Sequence, residues 1–343
     1  MSDDGSERPW LRSCAQPLAA RYDVALLDLD GVVYIGPQPI GGAPEALAKA
    51  RAAGMRIAFV TNNASRDPAT VAQHLAELGV PATPDEVVTS AQAAASVVRH
   101  RLGPGATVLV TGSPALRAIV EAAGLQPVTS ADDRPEAVVQ GFWAELTYQD
   151  LAEATVAVRG GALWVATNVD STLPSPRGLL PGNGSLVGVV ATASGHKPIV
   201  AGKPELPLHA EGVRRLDATR PLVVGDRLDT DIEGANAAQT DSLLVMTGVT
   251  TAAELLGAPA EHRPTYVSCD LFGLLEPQPA VIVDERGARC GGWVARRLPE
   301  AELLGDGPAV DGLRALLGLA WAADDAGEEL TDVTRALARL EID

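Results

Sequence analysis

The stretch VALLDLDGVVYIG, Val24 to Gly36, decides how this chain folds. An apolar run ends in two aspartates, Asp28 and Asp30, one leucine apart, and a glycine follows at once. A short apolar run of this kind reads as a strand buried on both faces, as in a parallel sheet. In open sheets of that type the carboxyl ends of the strands form the rim where ligands bind. Alternate residues of an extended chain point to the same side, so Asp28 and Asp30 share one. Gly31 lets the backbone turn sharply after them. Two carboxylates there suit a nucleophile with a general acid–base partner, or a metal site. A strand end closed by an Asp-Gly turn is the plain alternative. An EF-hand calcium loop is excluded: Val32 offers no side-chain oxygen at the next ligand position, and the glycine comes fourth where that loop needs it sixth.

Working outward, the strand–helix unit repeats. GGAPEALAKARAAG predicts a helix with Pro44 in its first turn and Gly54 at its end, and RIAFVTN a strand. DPATVAQHLAELG predicts a helix capped by Asp67 and ended by Gly79; EVVTS is a short strand and AQAAASVVRHRLG a helix. Such alternation implies a mostly parallel sheet with helices on both faces. After GPGA it restarts, with TVLVTG, EAVVQGF and ALWVATN as strands and SPALRAIVEAAG and TYQDLAEATVAVRGG as helices. A Pro/Gly-rich loop, STLPSPRGLLPGNG, follows, and GNGSLVG reads as a turn. From KPELPLHAEGVRRL through RPLVVGD, DIEGANAAQT and DSLLVMTG to TYVSCDLFGLL the first pattern resumes. Beyond about Glu276 it changes. PAVIVDERGARCGGWVARRL predicts two strands turning near Arg286 and Gly287, and AVDGLRALLGLAWAADDAG and ELTDVTRALARLEID predict helices. Residues 1–20 read as a loose arm.

The 343 residues suffice for two or three domains and a sizeable core. Aromatics make up only 3% of the chain, so alanine, valine and leucine must fill that core. The formal net charge is −17 and no basic run exists, which excludes a nucleic-acid binder and disfavours an anionic membrane surface. An anionic substrate would need a bound cation as intermediary. Cys14, Cys269 and Cys290 are odd in number and widely spaced, so neither a disulfide framework nor a zinc knuckle is expected. The polar start MSDDGSERPW lacks the layout of a signal peptide, and no apolar run reaches transmembrane length. A cytoplasmic protein is expected.

Three further pieces carry chemistry. The strand ending FVTNNAS offers the Thr61 hydroxyl and the Asn62 amide, which could bind an oxyanion or simply form a polar loop before the next helix. In AGKPELPLH, Lys203 sits at a helix entrance, where an ammonium would neutralise a phosphoryl group or lie at the surface. PLVVGDRLDTDIEGA ends another apolar strand at Asp226, with Asp229 and Asp231 following. Mutually repelling carboxylates suit Mg²⁺ or form a solvated acidic loop, and Asp229 is read as the latter.

The order of these pieces is more specific than any one of them. Asp-x-Asp-Gly, Thr-Asn, Gly-Lys-Pro and Gly-Asp-x-x-x-x-Asp, three of them at apolar strand ends, resemble the signature of the haloacid dehalogenase superfamily from about Tyr22 to Leu275. The gap from Asp28 to Thr61 holds one helix–strand crossover, whereas that from Thr61 to Lys203 holds a whole α/β domain. That layout resembles the type-IIA cap, as does ATNVDSTLPSPRGLLPGNGSL. The branch includes phosphoglycolate, glycerol-3-phosphate, pyridoxal-phosphate and nitrophenyl-phosphate phosphatases. The resemblance implies an α/β fold: a Rossmann-like doubly wound parallel sheet core (1–103 and 196–275), an inserted α/β cap (104–195) and a small C-terminal α+β extension (276–343).

By the same resemblance Asp28 is the nucleophile that forms an aspartyl-phosphate, and Asp30 protonates the leaving alkoxide and then activates water. Mg²⁺ is held by Asp28, the Asp30 carbonyl and Asp226, with Asp231 assisting. Lys203 shields charge, and Thr61 and Asn62 position the phosphoryl oxygens. Asp170, Leu173 and Arg177 are the expected cap contacts, Arg177 otherwise being a solvated loop residue. Where the pyridoxal-phosphate branch has a histidine, this chain has Leu173, which leans towards glycerol 3-phosphate or phosphoglycolate. The partner is thus a small phosphorylated metabolite, with a sugar phosphate, pyridoxal phosphate or a non-catalytic regulatory role as alternatives. A homo-oligomer would form through the cap or the C-terminal region.

Overall fold

The computed structural model describes residues 10–175, 177–297, 301–328 and 332–342. The chain divides into two compact units, residues 1–57 with 219–343, and residues 58–218. In both, parallel strands alternate with helices, the α/β class expected from the sequence.

In the first unit the strand Val24–Leu27 is buried throughout, as its unbroken apolar run requires. It pairs in parallel with Pro221–Gly225, which pairs with Asp241–Val245, which pairs with Tyr266–Ser268. The register Leu27↔Val224 brings the ends of the first two strands side by side. A π-helical turn, Leu228–Ile232, replaces the start of the helix expected from DIEGANAAQT, leaving the short helix Glu233–Ala237.

The arm expected at residues 1–20 is not loose where it is described. Leu11 and Leu18 are buried, the Arg12 N–H donates to the Thr265 carbonyl at 3.0 Å, and Cys14 bridges to Gln278. Residues 1–9 lie outside the described residues. The C-terminal region also differs from expectation. Gly291 and Gly292 break the second predicted strand in two, and Ala301–Gly305 adds a fourth. The result is a four-stranded antiparallel sheet in the order Ile282–Asp284, Gly287–Cys290, Trp293–Arg297, Ala301–Gly305. The expected helix Ala309–Asp325 lies against it with twelve of its residues buried (Asp311 to Trp321, and Ala323). Of the last predicted helix only Thr334–Leu337 is helical, and 329–331 and 343 lie outside the described residues.

The second unit contains a parallel pair with register Thr61↔Thr89 and a five-stranded parallel sheet. The sheet runs in the order Ile199–Val200, Leu163–Ala166, Ala137–Gln140, Thr107–Thr111, Gln126–Val128. The helix Pro68–Glu77 is capped as predicted, the Asp67 carboxylate accepting from the Thr70 N–H at 2.8 Å. The Pro/Gly-rich loop folds into a hairpin, Thr172–Ser175 with Gly178–Pro181. The segment read as a turn opens the helix Asn183–Ser194 instead. That helix starts on Gly182 with no side-chain cap and carries three weak formers first, so local propensity hid it.

Candidate active site

The first unit gathers carboxylates. Asp28 follows the strand Val24–Leu27, its N–H donating to the Val224 carbonyl at 2.8 Å, and Asp226 directly follows the neighbouring strand Pro221–Gly225. The π-helical turn brings Asp231 back towards them. Carboxylate oxygens of Asp28, Asp226 and Asp231 lie within 4.8 Å of one another. Asp226 is fully buried and Asp231 is 2% exposed. At an effective dielectric constant of about 20, each such pair repels by about 3 kcal/mol.

Main-chain groups hold the cluster in place. The Val249 N–H donates to Asp226 Oδ2 at 2.8 Å and the Arg227 N–H to Asp231 Oδ2 at 3.2 Å. Gly31 (φ +81°) and Gly248 press so close that a Cβ on either would overlap the Asp226 carboxylate. The Thr247 hydroxyl ties the same loop to the Gly31 carbonyl at 2.6 Å. Thr247, Gly248 and Val249 were not singled out from the sequence, although MTG after the apolar run DSLLV repeats the strand-end pattern of FVTN. Three converging carboxylates form a hard oxygen donor set that fits a small divalent cation. Asp28, Asp226 and Asp231 would hold it.

Asp30 is exposed, and its carboxylate lies outside this cluster. The turn after it is closed by the Gly31 N–H donating to the Tyr34 carbonyl at 2.9 Å. Asp229 is exposed as well. It takes a two-pronged ion pair from Arg227, Nε at 3.0 Å and an Nη at 2.8 Å, and those hydrogen bonds hold its carboxyl below its ordinary range.

In the second unit Asn62 is a hub. Its Oδ1 accepts from the Lys203 N–H at 2.7 Å, and its Nδ2 donates to the Lys203 carbonyl at 3.2 Å and to both Asp170 carboxylate oxygens at 3.4 Å. Its carbonyl accepts from the Ser90 hydroxyl at 2.6 Å and from Asn168 Nδ2 at 2.8 Å. The Asn183 amide donates to the Asn168 carbonyl at 2.7 Å, fixing the segment that carries Asp170. Three predicted residues, Asn62, Lys203 and Asp170, are thereby brought together. Thr61 is buried, its hydroxyl oxygen accepting from the Asn63 N–H at 3.1 Å. Leu173 and Arg177 lie on the hairpin: Leu173 is half-buried opposite Leu180, and Arg177 is an exposed turn residue. Ser90, Asn168 and Asn183 are additions that no local motif marked.

This architecture has counterparts in known proteins. Residues 25–126 match the family model for haloacid dehalogenase-like hydrolases, and residues 200–274 match a second HAD-hydrolase-like model. The chain belongs to the haloacid dehalogenase-like hydrolases. It is 48% identical over 314 residues to the D-glycerol 3-phosphate phosphatase of Mycobacterium tuberculosis, covering 89% of this chain and 88% of that one. An acid sugar phosphatase of Staphylococcus aureus is 38% identical over 253 residues, covering 73% of this chain and 96% of its own. Among solved structures, the glycerol phosphate phosphatase of M. tuberculosis in complex with magnesium superposes with a TM-score of 0.85 at 45% identity, covering 96% of this chain and 100% of that one. The p-nitrophenyl phosphatase of Archaeoglobus fulgidus superposes at 0.69 with 29% identity, covering 74% and 98%. Cys14, Cys269 and Cys290 are free thiols, and no helix among the described residues is long and apolar enough to cross a membrane.

Proposed function

We propose that this chain is a Mg²⁺-dependent phosphomonoesterase whose substrate is D-glycerol 3-phosphate, acting in the cytoplasm. The carrying observation is the 48% identity to a D-glycerol 3-phosphate phosphatase across 89% of the chain, beyond the end of the family models at residue 274. The clustered carboxylates support the same reading.

The bound cation would supply the positive charge that lets a carboxylate approach a phosphate dianion. Asp28, the Asp30 carbonyl and Asp226 would hold it, and Asp231 completes the carboxylate set. An Asp28 oxygen attacks phosphorus in line, the phosphorus–ester oxygen bond breaks, and Asp30 gives its proton to the departing glycerol alkoxide. Asp30, now a carboxylate, takes a proton from the attacking water. The aspartyl-phosphate is cleaved, inorganic phosphate leaves and Asp28 is regenerated. The exposure of Asp30 suits a group that must be reached by the attacking water. The Thr61 hydroxyl and Asn62 position phosphoryl oxygens, and the Lys203 ammonium offsets their charge. The Asn62 side chain also fixes the main chain of Lys203, so it positions that cation. The residues from 104 to 195 serve as the cap, set into a core of 1–103 and 196–275, with Asp170, Leu173 and Arg177 facing the glycerol moiety. Self-association would use the cap or the region after 276.

Initial rates on both glycerol 3-phosphate enantiomers, phosphoglycolate, pyridoxal phosphate and sugar phosphates test this reading. D-glycerol 3-phosphate is expected to give the highest kcat/KM, with no turnover in EDTA and recovery on adding Mg²⁺. A preference for pyridoxal phosphate, or turnover in EDTA, would overturn it.

A further inference from the structure

The C-terminal region packs directly behind the loops that carry the carboxylates. Relatives such as the S. aureus acid sugar phosphatase cover 73% of this chain and 96% of their own, so their chains have no room for a region of this size. Here it is embedded. Leu313, Leu316, Leu317 and Trp321 of the helix Ala309–Asp325 share one apolar cluster with Leu244, Leu255 and Ile232, and Leu228 packs against it. Leu228 and Ile232 are the two ends of the turn that carries Asp231.

One hydrogen bond makes the link specific. The buried Trp321 indole N–H donates to the Leu255 carbonyl at 3.2 Å. Leu255 belongs to the short helix Ala252–Leu256, whose cap Thr251 directly follows the loop that clamps both the Asp226 carboxylate and the Gly31 carbonyl. The Arg263 guanidinium lies over the Trp321 ring at 5.3 Å and pairs with Asp324 and Asp325, holding the indole in place.

We propose that the C-terminal region is a buttress of the cation site and that Trp321 is a positioning residue acting through the Leu255 carbonyl on the Thr247–Thr251 loop. The proposal rests on Asp28, Asp226 and Asp231 forming that site. Outer-shell partners of metal ligands typically change affinity by 10- to 100-fold. Trp321 acts one step further out, so Trp321→Phe is expected to weaken Mg²⁺ by about 3- to 10-fold while kcat at saturating Mg²⁺ stays within about twofold.

The test is calorimetric titration of the full-length chain with Mg²⁺, paired with Trp293→Phe as control. Trp293 makes the same kind of bond, to the Pro308 carbonyl at 3.0 Å, but wholly inside the C-terminal region. Weakened Mg²⁺ binding in Trp321→Phe with unchanged binding in Trp293→Phe supports the buttress. Equal weakening in both, or none in Trp321→Phe, overturns it. If Trp321→Phe does not fold, Arg263→Lys carries the same comparison. Failure of the unaltered protein to bind Mg²⁺ would instead overturn the reading of the carboxylates themselves.

Discussion

Around Asp226, three carboxylates are pressed within 4.8 Å of each other; around Asn62, donors meet acceptors at nearly every contact. The first arrangement is electrostatically unfavourable by itself and is held by glycines and main-chain N–H groups from behind. The second pairs its donors and acceptors within the protein. Charge in the first region is stored for a ligand to neutralise, whereas the second is preformed and contributes to folding whether or not a ligand is present. Substitutions should therefore move stability in opposite directions in the two regions.

The largest effect is expected at Asp28. In the proposed mechanism Asp28→Asn removes the attacking oxygen, and turnover should fall by at least about 10⁴-fold. The same change takes one charge out of the repelling cluster, so in EDTA the variant should melt no lower than the unaltered protein, and about 1–3 °C higher. Steady-state rates and calorimetric melting in EDTA check both halves. Retained turnover would remove Asp28 from its role, and a clearly lower melting temperature would mean that the cluster stabilises the fold.

Asn62→Ala should instead lower stability. It leaves the Lys203 N–H without its acceptor and the Asp170 carboxylate without this donor, a loss of about 2 kcal/mol. The destabilisation should be equal in EDTA and in excess Mg²⁺, because the hub is satisfied before any ligand arrives. Denaturant unfolding in the two conditions measures it. A loss that disappears on adding Mg²⁺ would show that the hub depends on the carboxylate region.

The contrast also explains what the sequence could reveal. Asp28 and Asp226 were legible because each directly follows a buried apolar strand, and Asp231 because it comes five residues after Asp226 in the turn that leaves that strand, local patterns with a local cause. Asn62, Lys203 and Asp170 were each visible, but their mutual contacts cross more than a hundred residues of chain (|i−j| 108 for Asn62–Asp170, 141 for Asn62–Lys203) and follow from tertiary packing. Asn168 and Ser90 point their polar groups at a main-chain carbonyl, which no residue pattern announces. The N-terminal arm misled for the same reason. Leu11 and Leu18 sit in short apolar patches broken by polar residues, with no strand or helix period, and reveal their burial only against the segments near Thr265 and Gln278. The helix after Gly182 was hidden by weak propensity, and its burial of Val187 and Val190 against the sheet outweighs that cost.

Glu211 sharpens the comparison, with the smallest effect on activity. It is a buried carboxylate like Asp226, but its counter-charges are built in. Arg214 Nη2 lies 2.7 Å from Oε1 and Arg215 Nε 2.6 Å from the same oxygen. Burial pushes the Glu211 carboxyl up, but the hydrogen bonds from the two arginines outweigh it and hold the group below its ordinary range. A carboxyl depressed on folding adds stability that is present above its unfolded pKa and is lost as the pH falls through the folded one. Glu211→Gln should therefore cost about 2 kcal/mol at pH 7. The gap from the unaltered protein should stay constant down to about pH 5 and close as the pH drops below the usual glutamate range of about 4.3. Turnover at saturating substrate should be unchanged. Urea unfolding from pH 7 to pH 3 follows the gap directly. If Glu211→Gln instead cost no stability at pH 7, as Asp28→Asn is expected to cost none in EDTA, then built-in arginines would be no better for a buried carboxylate here than an absent cation.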